Sequence, residues 1–128
     1  VRLLLDTHTL LWWLSGNEKM SLPARSAIGD SANAVYVSTV TAWEISTKYR
    51  IGKLPSAAPV VGHFGETLKR NKFNELPITL AHAERAESLP GEHRDPFDRM
   101  LIAQAILERM RFISLDAKID AFGVDRLW

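Results

Sequence analysis

The chain contains no cysteine. That absence removes disulfides, thiolate metal sites and thiol nucleophiles together, and it fits a reducing compartment. A surplus of either charge is also lacking: 16 basic residues stand against 15 acidic ones, for a net charge of +1. Such a balance neither demands nor excludes a nucleic-acid partner, because a basic patch can be offset by a separate acidic site. No apolar run approaches the length of a membrane span. Residues 3–5 are Leu-Leu-Leu, but Asp6 and His8 break the run and no small-residue cleavage site follows. The expectation is a soluble, cytoplasmic protein with no membrane partner. Repeats, low-complexity tracts and linkers are absent too, so residues 1–128 are expected to form one domain. With 46% hydrophobic and 24% charged residues over 128 positions, the composition is that of a globular chain with a real core.

What is present is an alternation of strands and helices. Leu3-Leu4-Leu5 is a continuous apolar run, the pattern of a strand buried on both faces. Residues 34–37 and 112–115 read as further strands, 73–78 as a segment with a short extended piece, and 124–127 as an edge strand. Helices are expected over 9–14, from Ser21-Leu22-Pro23, from Ser38 or Thr39 to about Ile51, and over 59–72. Two more are expected, from a Thr79 cap to about Leu89 and from Asp95 to about Met110. Residues 116–122 read as a turn or short helix. Alternation of this kind implies a central parallel sheet of four to five short strands with helices on both faces.

Four acids fall where such a fold brings them to one edge of the sheet: Asp6, Glu44, Asp98 and Asp116. At about 5 Å and an effective dielectric of about 20, each like-charged pair would repel by roughly 3 kcal/mol, so something positive must settle among them. Asp6 ends a strand and precedes a helix, which fits a helix cap as well as a ligand at the carboxyl edge. Glu44 shares one side of its helix with Val40, Trp43, Thr47 and Ile51. A carboxylate in that stripe needs either a buried Lys or Arg or a metal ion. In Asp95-Pro96-Phe97-Asp98 the first acid is the better cap and Asp98 the better ligand, being in line with Leu101, Ile102 and Ala105. Asp116 ends the 112–115 strand as Asp6 ends the first, and Ser114, two residues earlier, would point the same way and orient a ligand or water. Asp120 and Asp125 read as solvated.

These residues also carry a family resemblance. Leu3-Leu4-Leu5-Asp6-Thr7-His8, Trp43-Glu44-Ile45-Ser46, the run from Asp95-Pro96-Phe97-Asp98 to Ala105, and Ser114-Leu115-Asp116 together resemble the PIN-domain ribonucleases, and among them the VapC toxins of type II toxin–antitoxin systems. The resemblance implies a PIN-like three-layer fold. It implies an endoribonuclease using one or two Mg2+ ions, with Mn2+ able to substitute, that leaves a 5′-phosphate and a 3′-hydroxyl. It further implies a homodimer restrained by a cognate VapB-type antitoxin. Asp6, Glu44, Asp98 and Asp116 would then be the catalytic, metal-binding acids, with Asp95 and Ser114 in support.

An RNA substrate needs basic contacts. Lys48 and Lys53, with Arg50, Lys69, Arg70 and Lys72, are candidates, although solvated helix faces explain such residues equally well. Arg94 fits a phosphate contact or a salt bridge. His8 fits packing better than acid–base catalysis, and Trp12 and Trp13 fit core packing better than base stacking. Two other functions compete. A PIN-like module that binds RNA or protein without cutting retains the fold but needs no intact acids. A receiver-like domain needs an Asp after a middle strand, and residues 34–37 end without one.

Overall fold

The computed structural model describes residues 1–91 and 95–128. Among these residues, five strands form one sheet: β1 (Arg2–Leu5), β2 (Ala34–Ser38), β3 (Asn74–Leu76), β4 (Arg111–Ile113) and β5 (Arg126–Leu127). Their order is β3-β2-β1-β4-β5 and every pairing is parallel. The described residues also form six α-helices: α1 (Thr7–Ser15), α2 (Leu22–Gly29), α3 (Thr39–Arg50), α4 (Phe64–Asn71), α5 (Leu80–Ser88) and α6 (Pro96–Glu108). Short 3-10 turns occupy Pro55–Ala57 and Ala117–Phe122.

The triple leucine explains the layering. Successive strand residues point to opposite faces. Leu3 and Leu5 therefore join a core with Leu10, Ile28, Val35, Val37, Ile45 and Phe73, while Leu4 joins a second core with Leu76, Leu101, Ile102 and Phe112. Helices α1, α2 and α4 cover the first face, α5 and α6 the second. Both faces of β1 are thus dry, the arrangement expected of a central parallel strand.

Several boundaries differ from those read in the sequence. The helix expected over 59–72 begins only at Phe64, because Gly62 adopts a left-handed φ of 81° in the preceding turn. The last long strand closes at Ile113, so Ser114 and Leu115 lie past its end. Helix α1 begins at Thr7, immediately capped by Asp6, whose carboxylate accepts the Thr7 N–H. Asp95 caps α6 as expected, accepting from the Phe97 N–H at 2.7 Å.

Helix α3 is rotated relative to the expected stripe. Its buried residues are Val40, Thr41, Glu44 and Ile45, whereas Trp43 is 64% exposed and Ile51 is also exposed. Thr41 and Ile45, one turn apart, set the inward face through packing that the Val40-Trp43-Thr47-Ile51 pattern did not reveal. Asp120 and Asp125 are exposed as expected, and each pairs at the surface with an arginine, Asp120 with Arg126 at 2.8 Å and Asp125 with Arg111 at 3.1 Å.

Candidate active site

From β1 the chain moves outward in one direction to β2 and β3, then returns to place β4 and β5 on the other side. The seam between β1 and β4 is consequently a switch point, and ligand sites of open α/β sheets form beyond the strand ends there. Asp6 follows β1 and Ser114 follows β4. The Asp6 N–H and the Thr9 hydroxyl both donate to the Ile113 carbonyl, at 3.1 and 2.7 Å, which holds the two strand ends in register.

A chain of short polar contacts runs from this seam. Ser114 is fully buried, and its hydroxyl donates to Asp6 Oδ2 at 2.7 Å while accepting the Asp116 N–H at 3.1 Å. Asp116 in turn caps the following 3-10 turn, accepting from the Lys118 N–H at 3.0 Å. On the other side, Thr7 donates its hydroxyl to Glu44 Oε1 at 2.6 Å and lies 3.4 Å from the Thr41 hydroxyl. Glu44, only 3% exposed, also accepts a hydrogen bond at Oε2 from the Lys48 ammonium one helical turn along α3.

Electrostatics tie the two halves together. Burial pushes the Asp6 carboxyl above its ordinary range; hydrogen bonds from Ser114 and Thr7 and the charge of His8 oppose the rise, and the Glu44 charge adds to it. For Lys48, partial burial opposes the ammonium charge, but the hydrogen bond and charge of Glu44, followed by the charges of Asp95 and Asp98, outweigh it and raise its pKa. Asp98 is half-buried in the first turn of α6, and that helix start meets α3 where Phe97 packs edge-on against Trp43, 5.1 Å between ring centres.

The site residues expected from the sequence thus fall into two linked groups. Asp6, Ser114 and Asp116 meet at the strand ends, beside a cavity of about 200 Å³ that His8, Thr9, Trp12 and Leu115 also line. Lys48 pairs with Glu44 and feels the charges of Asp95 and Asp98, and Thr7 joins Asp6 to Glu44. Lys48 therefore stands within the acids as a partner of Glu44. Lys53 is exposed just past α3, and Arg94 and His93 lie outside the described residues. Trp13 packs against Phe73 and donates to Asn71, whereas Trp12 contacts Trp128 and borders the cavity.

The donors are carboxylate and hydroxyl oxygens throughout, the chemistry that hard divalent ions prefer. The desolvated Asp6 carboxylate is the kind of anion such an ion would relieve. Among the described residues, however, no three His, Asp or Glu side chains are grouped closely enough to ligate a single ion. The residues fit the ion in chemical type, and one of them, Glu44, is paired with Lys48.

Sequence reasoning missed Thr7, Thr41 and Arg126. Asp6-Thr7 at a strand-to-helix corner was a usable signal for the first. Arg126 donates to the Ser114 carbonyl at 3.0 Å from an edge strand, which no local pattern indicates.

Comparison with known proteins bears on this geometry. Ribonuclease VapC22 of Mycobacterium tuberculosis is 26% identical over 117 residues, spanning 91% of this chain and 88% of that protein. Among solved structures, VapBC2 from Rickettsia felis, bound to a DNA fragment from their promoter, matches with a TM-score of 0.74 at 11% identity, over 99% of this chain and 98% of that one. A toxin–antitoxin complex from Klebsiella pneumoniae matches with a TM-score of 0.56 at 20% identity, covering 98% and 95%. The PIN domain family model matches residues 3–124, a span that includes Asp6, Glu44, Asp98 and Asp116. By that match, the chain belongs to the PIN domain family.

Proposed function

We propose that this protein is an endoribonuclease of the VapC kind, a toxin that hydrolyses RNA phosphodiester bonds with Mg2+ or Mn2+ and is restrained by a VapB-type antitoxin. The observation that carries the reading is the polar chain Asp116–Ser114–Asp6–Thr7–Glu44 at the switch point of the sheet. The likeness to Ribonuclease VapC22 supports the reaction class, and the likeness to the Klebsiella toxin–antitoxin complex supports the kind of partner.

In this reading Asp6, Glu44, Asp98 and Asp116 hold one or two ions. When bound, the ion supplies an activated water and neutralises charge on the scissile phosphate. Ser114 keeps the Asp6 carboxylate turned toward the site, and Thr7 does the same for Glu44. Asp95 pre-sets the first turn of α6 and with it the direction of Asp98. Trp12 and Leu115 line the cavity beside Asp6. Lys53 and Arg94 take backbone phosphates, and a Lys48 released from Glu44 is a third candidate. The products are a 5′-phosphate and a 3′-hydroxyl. We assign a homodimer and a cytoplasmic location on the same family likeness; no helix among the described residues is long and apolar enough to cross a membrane.

The test compares wild type with Asp6→Asn on defined RNAs, in Mn2+ and in chelator. Cleavage by the wild type in Mn2+ alone is the expected result, and cleavage that survives either chelator or the substitution overturns it. The Lys48–Glu44 pair favours one second reading, a PIN-like module that binds RNA or protein without cutting, since a neutralised Glu44 needs no ion. That module would leave RNA intact under every metal condition, and its RNA-binding form would also retain it.

A further inference from the structure

Both oxygens of the Glu44 carboxylate are engaged, and the two donors differ in kind. Thr7 offers a neutral hydroxyl to Oε1 at 2.6 Å, whereas Lys48 brings a full positive charge to Oε2. The Glu44 side chain is 4% exposed, so an unpaired charge there would be costly. Asp95 and Asp98, from the start of α6, add their charges on the same ammonium. Lys48 therefore pairs with one acid on α3 and feels the charge of two at the start of α6. Its own side chain is 32% exposed, and the stem rises from an outer turn of α3, so the head can swing into solvent without disturbing the helix.

We propose that the Lys48 ammonium is a built-in occupant of the carboxylate site, neutralising Glu44 in the ion-free protein and leaving when a divalent cation binds, so that Lys48 sets the metal affinity. The proposal rests on the nuclease reading above, because it takes Glu44 as a metal ligand. Two physical facts drive it. A divalent ion and the Lys48 ammonium compete for the same carboxylate, and a cation already in the site repels a second one. Ion binding therefore weakens the Lys48–Glu44 pair by charge repulsion, whereas the neutral Thr7 hydroxyl can stay. The apparent affinity of the wild type is reduced by that competition, and the protein remains folded without metal because its buried carboxylate is never left bare.

The experiment measures Mn2+ affinity, by calorimetry and by the spin-resonance signal of free Mn2+, for wild type, Lys48→Met and Lys48→Gln without RNA. Melting is followed in parallel, in chelator and in Mn2+. Both variants are expected to bind Mn2+ about ten-fold more tightly, the scale of one partly buried ion pair given up. They are also expected to melt lower than wild type in chelator and to recover more on adding Mn2+. Lys48→Gln keeps a donor near Glu44 without charge, so it tests the competition even if Lys48→Met folds poorly. Equal or weaker Mn2+ binding by the variants overturns the proposal while leaving the nuclease reading in place, provided Glu44→Gln weakens binding. Absence of Mn2+ binding in wild type and variants alike overturns both.

Discussion

Ser114 and Asp6 are 108 positions apart in the chain, yet the serine hydroxyl donates to the aspartate at 2.7 Å. The contact crosses the β1–β4 seam and uses a fully buried serine to aim a half-buried carboxylate. The same hydroxyl accepts from the Asp116 N–H, so one oxygen places two candidate metal ligands. Partners that orient ligating carboxylates in this way carry much of a site's function.

Ser114→Ala is expected to lower RNA cleavage and Mn2+ affinity by about 10- to 100-fold while the fold survives. Stability should drop by about 1–3 kcal/mol, since the Asp6 carboxylate loses a hydrogen bond in a largely desolvated position. Single-turnover cleavage and urea melts check both; unchanged cleavage would remove Ser114 from the site.

Asp6 gives a pH signature in chelator. Its folded pKa lies above the ordinary 3.8, chiefly through burial. The folded state then holds its proton more tightly than the unfolded one. Asp6 costs nothing below the ordinary value, and its ionisation destabilises the fold as pH rises through the raised value. Asp6→Asn should therefore melt above wild type near neutral pH, with the gap closing toward pH 4 and below. Adding Mn2+ should raise the wild type and leave the variant unmoved.

Thr7→Val preserves shape and removes the donor to Glu44. An acceptor left unsatisfied at that buried carboxylate should cost about 1–3 kcal/mol, read by urea denaturation. Cleavage should fall with it, because Glu44 loses the contact that fixes its direction. Thr7→Ser, which restores the hydroxyl, should recover most of both.

Arg126→Met cuts the guanidinium from the Ser114 carbonyl and from Asp120. The Arg126 hydrogen bond holds the Asp120 carboxyl below its ordinary value. The stability from that pair is accordingly present above pH 4 and fades as pH falls through the lowered value. In the variant, the Asp120 carboxyl should titrate near the ordinary value by NMR, and amide exchange around 114–122 should quicken.

The legible part of this protein is the part governed by local rules. Leu3-Leu4-Leu5 announces a strand wet on neither face, and its alternate leucines do enter two separate cores. Asp95-Pro96 marks a helix start because a cap and a proline at the first helical position each satisfy a known backbone demand. Acids at strand ends and helix starts mark the edge where Asp6 and Asp116 meet. Trp43 shows where such rules fail. Its place in a helical stripe suggested burial, but the rotation of α3 depends on which side chains fit against α1 and the sheet, and Trp43 ends up in solvent.

Lys48 marks the same boundary more sharply. A Lys four residues after a buried Glu is compatible with a phosphate contact, a solvated charge or an ion pair, and spacing does not choose among them. The ion pair with Glu44 is local to α3, but the added charges of Asp95 and Asp98 follow from where α3 lies against the start of α6. Backbone preferences reach a few residues along the chain and are written in it. Contacts between Ser114 and Asp6, Thr7 and Glu44, or Arg126 and Ser114 span tens of residues and exist only once both cores have packed, because burial and charge act through space and not along the chain.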